Sequence, residues 1–120
     1  MFDWKKPTVQ LLGRYQPWHP GHTELFKRAH AKTGQVCIMV RDTQGTDEKN
    51  PFDLFAVANY IKEALGKEGF ESGVDYVIVD VPNIVNITYG RDVGYTIEKE
   101  DFDKEILKIS ATQIRKEMGL

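Results

Sequence analysis

A short apolar run, Val9-Gln10-Leu11-Leu12, passes directly into Gly13-Arg14-Tyr15-Gln16-Pro17, and a helix-type pattern opens at Pro20. This junction constrains the fold more than any other stretch. Four residues bounded by glycine and proline are too few for an amphipathic helix and read as a short buried strand followed by a loop. Proline suits a first helical turn, and Leu25, Phe26 and Ala29 then recur at helical spacing until Gly34. The first unit is therefore strand, glycine loop, helix.

The alternation repeats. A second strand over 35–40 leads into a polar loop over 41–50, and beyond Pro51 the residues Leu54, Val57, Ile61 and Leu65 form one apolar stripe closed by Gly66 and Gly69. Tyr76-Val77-Ile78-Val79-Asp80-Val81 is rich in β-branched residues and reads as a third strand. An apolar stretch over 84–89, a short strand over 106–109 and a terminal helix from Ser110 complete the pattern. The expected fold is α/β: a Rossmann-like three-layer sandwich around a mostly parallel five-stranded sheet, in one compact domain over 1–120, with ligands beyond the carboxyl ends of the strands. One link resists. Parallel neighbours need a crossover of about a dozen residues. Pro82-Asn83 cannot supply it, so either one of the stretches flanking it is not a sheet strand or the connection takes an unusual route.

With 120 residues and 41% hydrophobic side chains, the chain suits one core and leaves no room for a separate substrate domain. Its 16 basic and 18 acidic residues are dispersed, for a net charge of -2, so no broad positive surface is expected to meet nucleic acid or an acidic membrane. The single cysteine, Cys37, lies in an apolar run and reads as a buried, inert thiol without disulfide or metal-ligand partners. No stretch has the apolar length of a secretory signal or a membrane span, which sets the expectation of a cytoplasmic protein. Several aromatic residues in so small a domain leave self-association open.

The run from Gly13 to His22 places two imidazoles at the start of a helix that follows a strand. A helix N-terminus points free N–H groups and a positive dipole end outward, which attracts phosphate, and imidazoles there can donate to anionic oxygens. At these residues the chain resembles the HxGH nucleotidylyltransferase superfamily, the cytidylyltransferase-like proteins, with the motif spelled His19-Pro20-Gly21-His22. The whole run is most similar to archaeal-type NMN adenylyltransferases, which read Gly-Arg-Phe-Gln-Pro-Phe-His-x-Gly-His. Ile109-Ser110-Ala111-Thr112-Gln113-Ile114-Arg115 fits the superfamily's ISxTxIR signature, and Asn50-Pro51-Phe52 is similar to the Asn-Pro-Phe that opens the second helix of the NMN enzymes. HxGH alone arises by chance. Its conjunction with ISxTxIR, each at a strand-to-helix junction, outweighs the plainer reading of two histidines without a task.

The resemblance implies in-line attack by an acceptor phosphate oxygen on the α-phosphorus of a nucleoside triphosphate, without a covalent enzyme intermediate. It assigns His22 to the α-phosphate and His19 to the adjoining oxygens, with Arg115 completing the catalytic set. Arg14, Ser110, Thr112 and Arg115 would hold the phosphates that leave as pyrophosphate, and Gly13, Tyr15 and Gly21 belong to the nucleotide site. Magnesium is implied as a bridge between phosphate oxygens, with no protein ligand identified. Gly13-Arg14-Tyr15-Gln16 favours ATP over CTP, because cytidylyltransferases usually read Gly-Thr-Phe-Asp there. The implied acceptor is a small phosphorylated metabolite. Arg41, Asp42, Asn50, Arg91 and Asp92 are candidates for recognising it or the base. Residues 53–57 lack the Gly-Glu-Arg pattern of the NMN enzymes, which leaves the acceptor's identity open.

Plainer roles compete at several positions. Ser110 with Gln113 spells a capping box. Arg115, in the first turns of a helix, opposes the dipole, a conflict that an anion shared with Thr112 would remove. Arg14 also suits a surface salt bridge, His30 a dipole partner or solvated residue, and Trp18 a pocket wall or ordinary packing. The alternatives for the whole chain are a CTP-dependent cytidylyltransferase and a nucleotide-binding module without catalysis.

Overall fold

The alternation is realised as β1 (Val9–Gly13), α1 (Pro20–Thr33), β2 (Val36–Arg41), α2 (Leu54–Lys67) and β3 (Tyr76–Val81), followed by a single-turn α3 (Lys104–Leu107) and α4 (Ala111–Glu117). The structure, a computed structural model, describes residues 1–91, 94–102, 104–107 and 109–120. The strands form one parallel sheet in the order β1-β2-β3. Val9 stands opposite Val36 and Val36 opposite Tyr76 near one end, while Gly13, Val40 and Asp80 align near the other. Arg14 and Arg41 consequently leave neighbouring strands at the same carboxyl edge.

The period-2 alternation of β2 divides the sheet into two unequal faces. Val36, Ile38 and Val40 are fully buried, whereas Cys37, Met39 and Arg41 between them are half-buried. The buried set packs in one cluster with Phe26 and Ala29 of α1 and Val57, Ile61 and Leu65 of α2. A salt bridge at 3.1 Å joins Lys27 to Glu68 at the end of α2. Both helices therefore lie on one face, as two crossovers of the same hand moving the same way across a sheet require. Each fully buried aliphatic side chain contributes about 1.5–3 kcal/mol by leaving water, which makes this face the main source of stability.

Local signals fix the ends of the helices. Gly34 takes the left-handed conformation (φ 82°) and its N–H bonds the carbonyl of His30 at 2.7 Å, ending α1. Asp53 caps α2 by accepting from the N–H of Ala56 at 2.8 Å. His30 is neither solvated nor a lone dipole partner: its Nε2 bonds Asp75 at 2.9 Å and ties α1 to the segment that enters β3. Cys37 is half-buried, and that burial pushes its thiol up, in keeping with an inert role.

The expected five-stranded, three-layer architecture needs correction. Three strands form among the described residues. The stretch over 84–89 is not a strand: the N–H of Ile84 bonds the carbonyl of Pro82 in a tight turn, and Val85, Ile87 and Tyr89 are exposed. The physical reason is the two-residue link after β3, too short for a parallel crossover. Nor do the described residues of 106–109 form a strand. Helical turn α3 occupies Lys104–Leu107, and the N–H of Ile109 closes onto the carbonyl of Ile106 instead of joining a ladder. With α1 and α2 sharing one face, the main helices supply one covering layer, not two.

Candidate functional site

Close approach of rings to backbone shapes the loop after β1. Tyr15 adopts φ 52°, uncommon for a residue with a side chain, and its ring folds back over Gly13. A Cβ at Gly13 would stand 2.9 Å from Tyr15 Cζ, so only glycine fits there. The Tyr15 ring then meets Trp18, centroids 4.9 Å apart, and both are buried. Trp18 Nε1 donates to Thr23 Oγ1 at 2.8 Å, which settles it as packing within the core and not a free pocket wall. Gln16, also buried, uses both ends of its amide on the backbone of Phe52: Nε2 donates to the carbonyl and Oε1 accepts from the N–H, each at 2.9 Å. The loop is thereby clamped to the Asn50-Pro51-Phe52 segment.

On this platform the two histidines cap α1 themselves. Nδ1 of His19 accepts from the N–H of Gly21, and Nδ1 of His22 accepts from the N–H of His19, each at 3.1 Å. The N–H groups of His22 and Thr23 turn back onto the carbonyl of His19. The first backbone donors are thus consumed, contrary to the expectation of free N–H groups at this helix end. Because a backbone N–H can only donate, each Nδ1 carries no proton, and each neutral ring holds its proton on Nε2. Neither Nε2 has a partner among the described residues, and neither is a buried orphan. Two N–H donors are left unpaired among the described residues.

The rings stack, centroids 3.7 Å apart and 23° from parallel. His22 also meets Tyr15 edge-on at 4.9 Å and Trp18 at 5.3 Å. Burial among these rings, with His19 adding repulsion, lowers the His22 imidazole to about 3, and burial lowers that of His19 as well. Burial raises the Tyr15 phenol. Gly21 is required by the same crowding, since a Cβ there would lie 2.8 Å from Cε1 of His19.

The chain's other end meets this loop. Arg115 NH1 donates to the carbonyl of Gln16 at 2.7 Å, across 99 positions of sequence, and its other arm lies 3.5 Å from Thr112 Oγ1. Ile109 approaches the position a Gly21 side chain would occupy, at 3.8 Å. Ser110 caps α4 by accepting from the N–H of Gln113 at 3.1 Å. The capping box is only half made, because the Gln113 side chain bonds Glu117 instead. The dipole argument for Arg115 also falls: α4 has two turns and Arg115 lies in the last, where a cation is favoured. What distinguishes Arg115 is its reach to the histidine loop.

Two open clefts mark the carboxyl edge of the sheet. One, of about 270 Å³, is lined by Leu12, Gly13, Arg14, Arg41, Asn83 and Ile84. The other, of about 430 Å³, shares Arg41 and Asn83 and adds Asp42 and Asp80 among others. Arg14 forms no side-chain salt bridge among the described residues, although its charge helps hold the Asp47 carboxyl down behind the bonds from Asn50. Nε of Arg41 is buried without a partner. Asn50 is buried, its Nδ2 donating to Asp47 while its Oδ1 has no partner. Arg91 is exposed and lines neither cleft, and Asp92 lies outside the described residues.

The structure thus gathers Gly13, Tyr15, His19, Gly21, His22, Thr112 and Arg115 around one loop, with Arg14, Arg41 and Asp42 along the adjoining edge. Gln16 escaped the sequence reading although it organises the loop by binding both Phe52 and Arg115. Its signal was a polar side chain between an aromatic residue and a proline in an otherwise apolar setting.

No curated protein matches the chain. A sequence model of the cytidylyltransferase-like family matches residues 11–117, from the middle of β1 to the end of α4, and so takes in both the histidine loop and Arg115. The chain belongs to the cytidylyltransferase-like family, and that membership supports nucleotidyltransferase activity.

Proposed function

We propose that the protein transfers a nucleoside monophosphate, AMP from ATP, to a small phosphorylated acceptor. An acceptor phosphate oxygen forms the new bond to the α-phosphorus as the bond from that phosphorus to the α,β-bridging oxygen breaks, and pyrophosphate departs with the electron pair. Such a reaction asks for positioned donors more than for an enzyme nucleophile. The observation that carries this reading is the pair of stacked imidazoles whose Nδ1 atoms are tied to backbone while both Nε2–H groups remain unpaired among the described residues, with the Arg115 guanidinium bonded to the Gln16 carbonyl of the same loop. His22 would donate to the α-phosphate as its charge grows, His19 to the adjoining oxygens, and Arg14, Ser110, Thr112 and Arg115 to the departing phosphates. Arg41 and Asp42 border the cleft left for the acceptor.

Among the described residues no group of three or more histidine, cysteine or carboxylate side chains is arranged to hold a metal. Magnesium enters this reading as the counter-ion of the triphosphate substrate. Residues 53–57, just past Asn50-Pro51-Phe52, hold no counterpart of the Gly-Glu-Arg pattern of the NMN enzymes, which favours an acceptor other than NMN.

The test is to incubate the protein with magnesium, ATP or CTP, and a panel of phosphorylated acceptors. Pyrophosphate should appear with ATP only when an acceptor is present. Release with CTP alone among the triphosphates would overturn the choice of nucleotide. Nucleotide binding without acceptor-dependent pyrophosphate would favour the module without catalysis.

A further inference from the structure

After β3 the chain loses its hold on the core. Residues 82–91 and 94–99 are exposed, and α4 contains no buried residue. Yet α4 carries Arg115 to the histidine loop, so contacts elsewhere in the chain must help to hold it there. Besides the Arg115 bond to the Gln16 carbonyl, side-chain contacts of the segment just ahead of α3 lie on one stripe of α1. Glu24, Arg28 and Lys32 recur every four residues and therefore share a face. Lys32 Nζ bonds Glu98 at 2.7 Å and Glu100 at 2.5 Å. Arg28 donates from NH1 to the carbonyl of Asp101 at 2.6 Å, lies 3.7 Å from Glu100, and places its guanidinium carbon 4.4 Å from the centre of the Phe102 ring. Two cations of α1 thus grip four residues, Glu98, Glu100, Asp101 and Phe102, of the segment just ahead of α3 and α4.

We infer that Arg28 and Lys32 are positioning residues: with residues 98–102 they form an ionic latch that docks α4 against the histidine loop. This rests on the polyphosphate reading given above. Every ion pair in the latch is at the surface, where single pairs are weak and salt-screened. The latch therefore opens readily, and an open chain lacks Ser110, Thr112 and Arg115 at the site. A triphosphate that needs both halves binds the closed form, so its apparent affinity is its intrinsic affinity scaled by the closed fraction. Loosening the latch raises KM and leaves kcat at saturation unchanged.

The experiment compares the full chain with the double variant Arg28→Met, Lys32→Met and with the conservative Lys32→Arg. Amide exchange is followed without ligand in α4 and in α2, and turnover is measured against ATP concentration with the acceptor found to support it. In the double variant, α4 should exchange about fivefold faster with α2 unchanged, and KM should rise about fivefold with kcat held within about twofold. Lys32→Arg should behave like the parent, and 0.5 M salt should move the parent toward the double variant. Unchanged exchange in α4 overturns the latch whatever ATP does. Faster exchange in α2 and α4 together overturns it too, since that is general loss of stability. Faster exchange in α4 alone, in a protein that neither binds nor turns over ATP, supports the latch and overturns the polyphosphate reading.

Discussion

At the residue scale, the histidines cap α1 and, on the proposed reading, also serve the chemistry. Each Nδ1 satisfies a backbone donor at the start of α1, and each Nε2–H is thereby fixed as the remaining donor of its ring. Substitution by asparagine separates the roles, because its side-chain oxygen can take the place of Nδ1 while the Nε2 donor is lost. His22→Asn should keep the melting temperature within a few degrees and lower kcat by at least about 100-fold, as loss of a donor acting mainly in the transition state does. The depressed imidazoles also make stability depend on pH. An unfolded histidine titrates near 6.5 and folded His22 near 3, so the unfolded chain binds the extra proton first. The contribution is complete above about pH 6.5 and is lost as pH falls toward 3. Urea unfolding at pH 7 and pH 4.5 should show the parent losing more stability than His22→Asn, by on the order of 2 kcal/mol. An equal loss in both proteins would contradict the burial of His22. Gly21→Ala, whose new carbon would collide with the His19 ring, should lower kcat without changing the secondary structure seen by circular dichroism.

At the element scale, the helix caps divide cleanly between structure and site. Asp53→Ala removes a cap made within α2, to the N–H of Ala56, and should cost about 1 kcal/mol in urea unfolding while leaving turnover unchanged. Gln16→Leu differs, because it breaks two bonds to Phe52 and unsettles the loop whose carbonyl holds Arg115; the expected outcome is a loss of about 1–3 kcal/mol together with a raised KM for ATP. The elements up to Val81 were legible in the sequence for a physical reason. Val36, Ile38 and Val40 alternate along a strand and Val57, Ile61 and Leu65 follow the helical period because both sets enter one core. Beyond Val81 that correspondence fails. Ile84, Val85 and Ile87 have strand-like composition but are exposed, so composition there reports no burial. Residues 106–109 misled for a different reason: a run of four is short enough for the turn at α3 to override its β propensity.

At the scale of the whole molecule, the site depends on contacts that local pattern cannot predict. The two motifs and their order could be read from the sequence, and so could the carboxyl edge of the sheet as the place to look. The bond from Arg115 to the Gln16 carbonyl, the clamp on Phe52 and the grip of Arg28 and Lys32 on residues 98–102 could not, because each joins segments distant in sequence. Arg91 illustrates the converse: its place in a polar loop suggested a role, and the fold leaves it exposed beside neither cleft. The account's central claim is that the histidine loop and Arg115 hold one polyphosphate between them. Its most direct test is a titration of the labelled protein with ATP and magnesium, following the Nε2 resonances of His19 and His22 and the Nε resonance of Arg115 together. The account predicts that all three shift along a single isotherm with one dissociation constant. Movement of the histidines without Arg115, or two distinct isotherms, would contradict it.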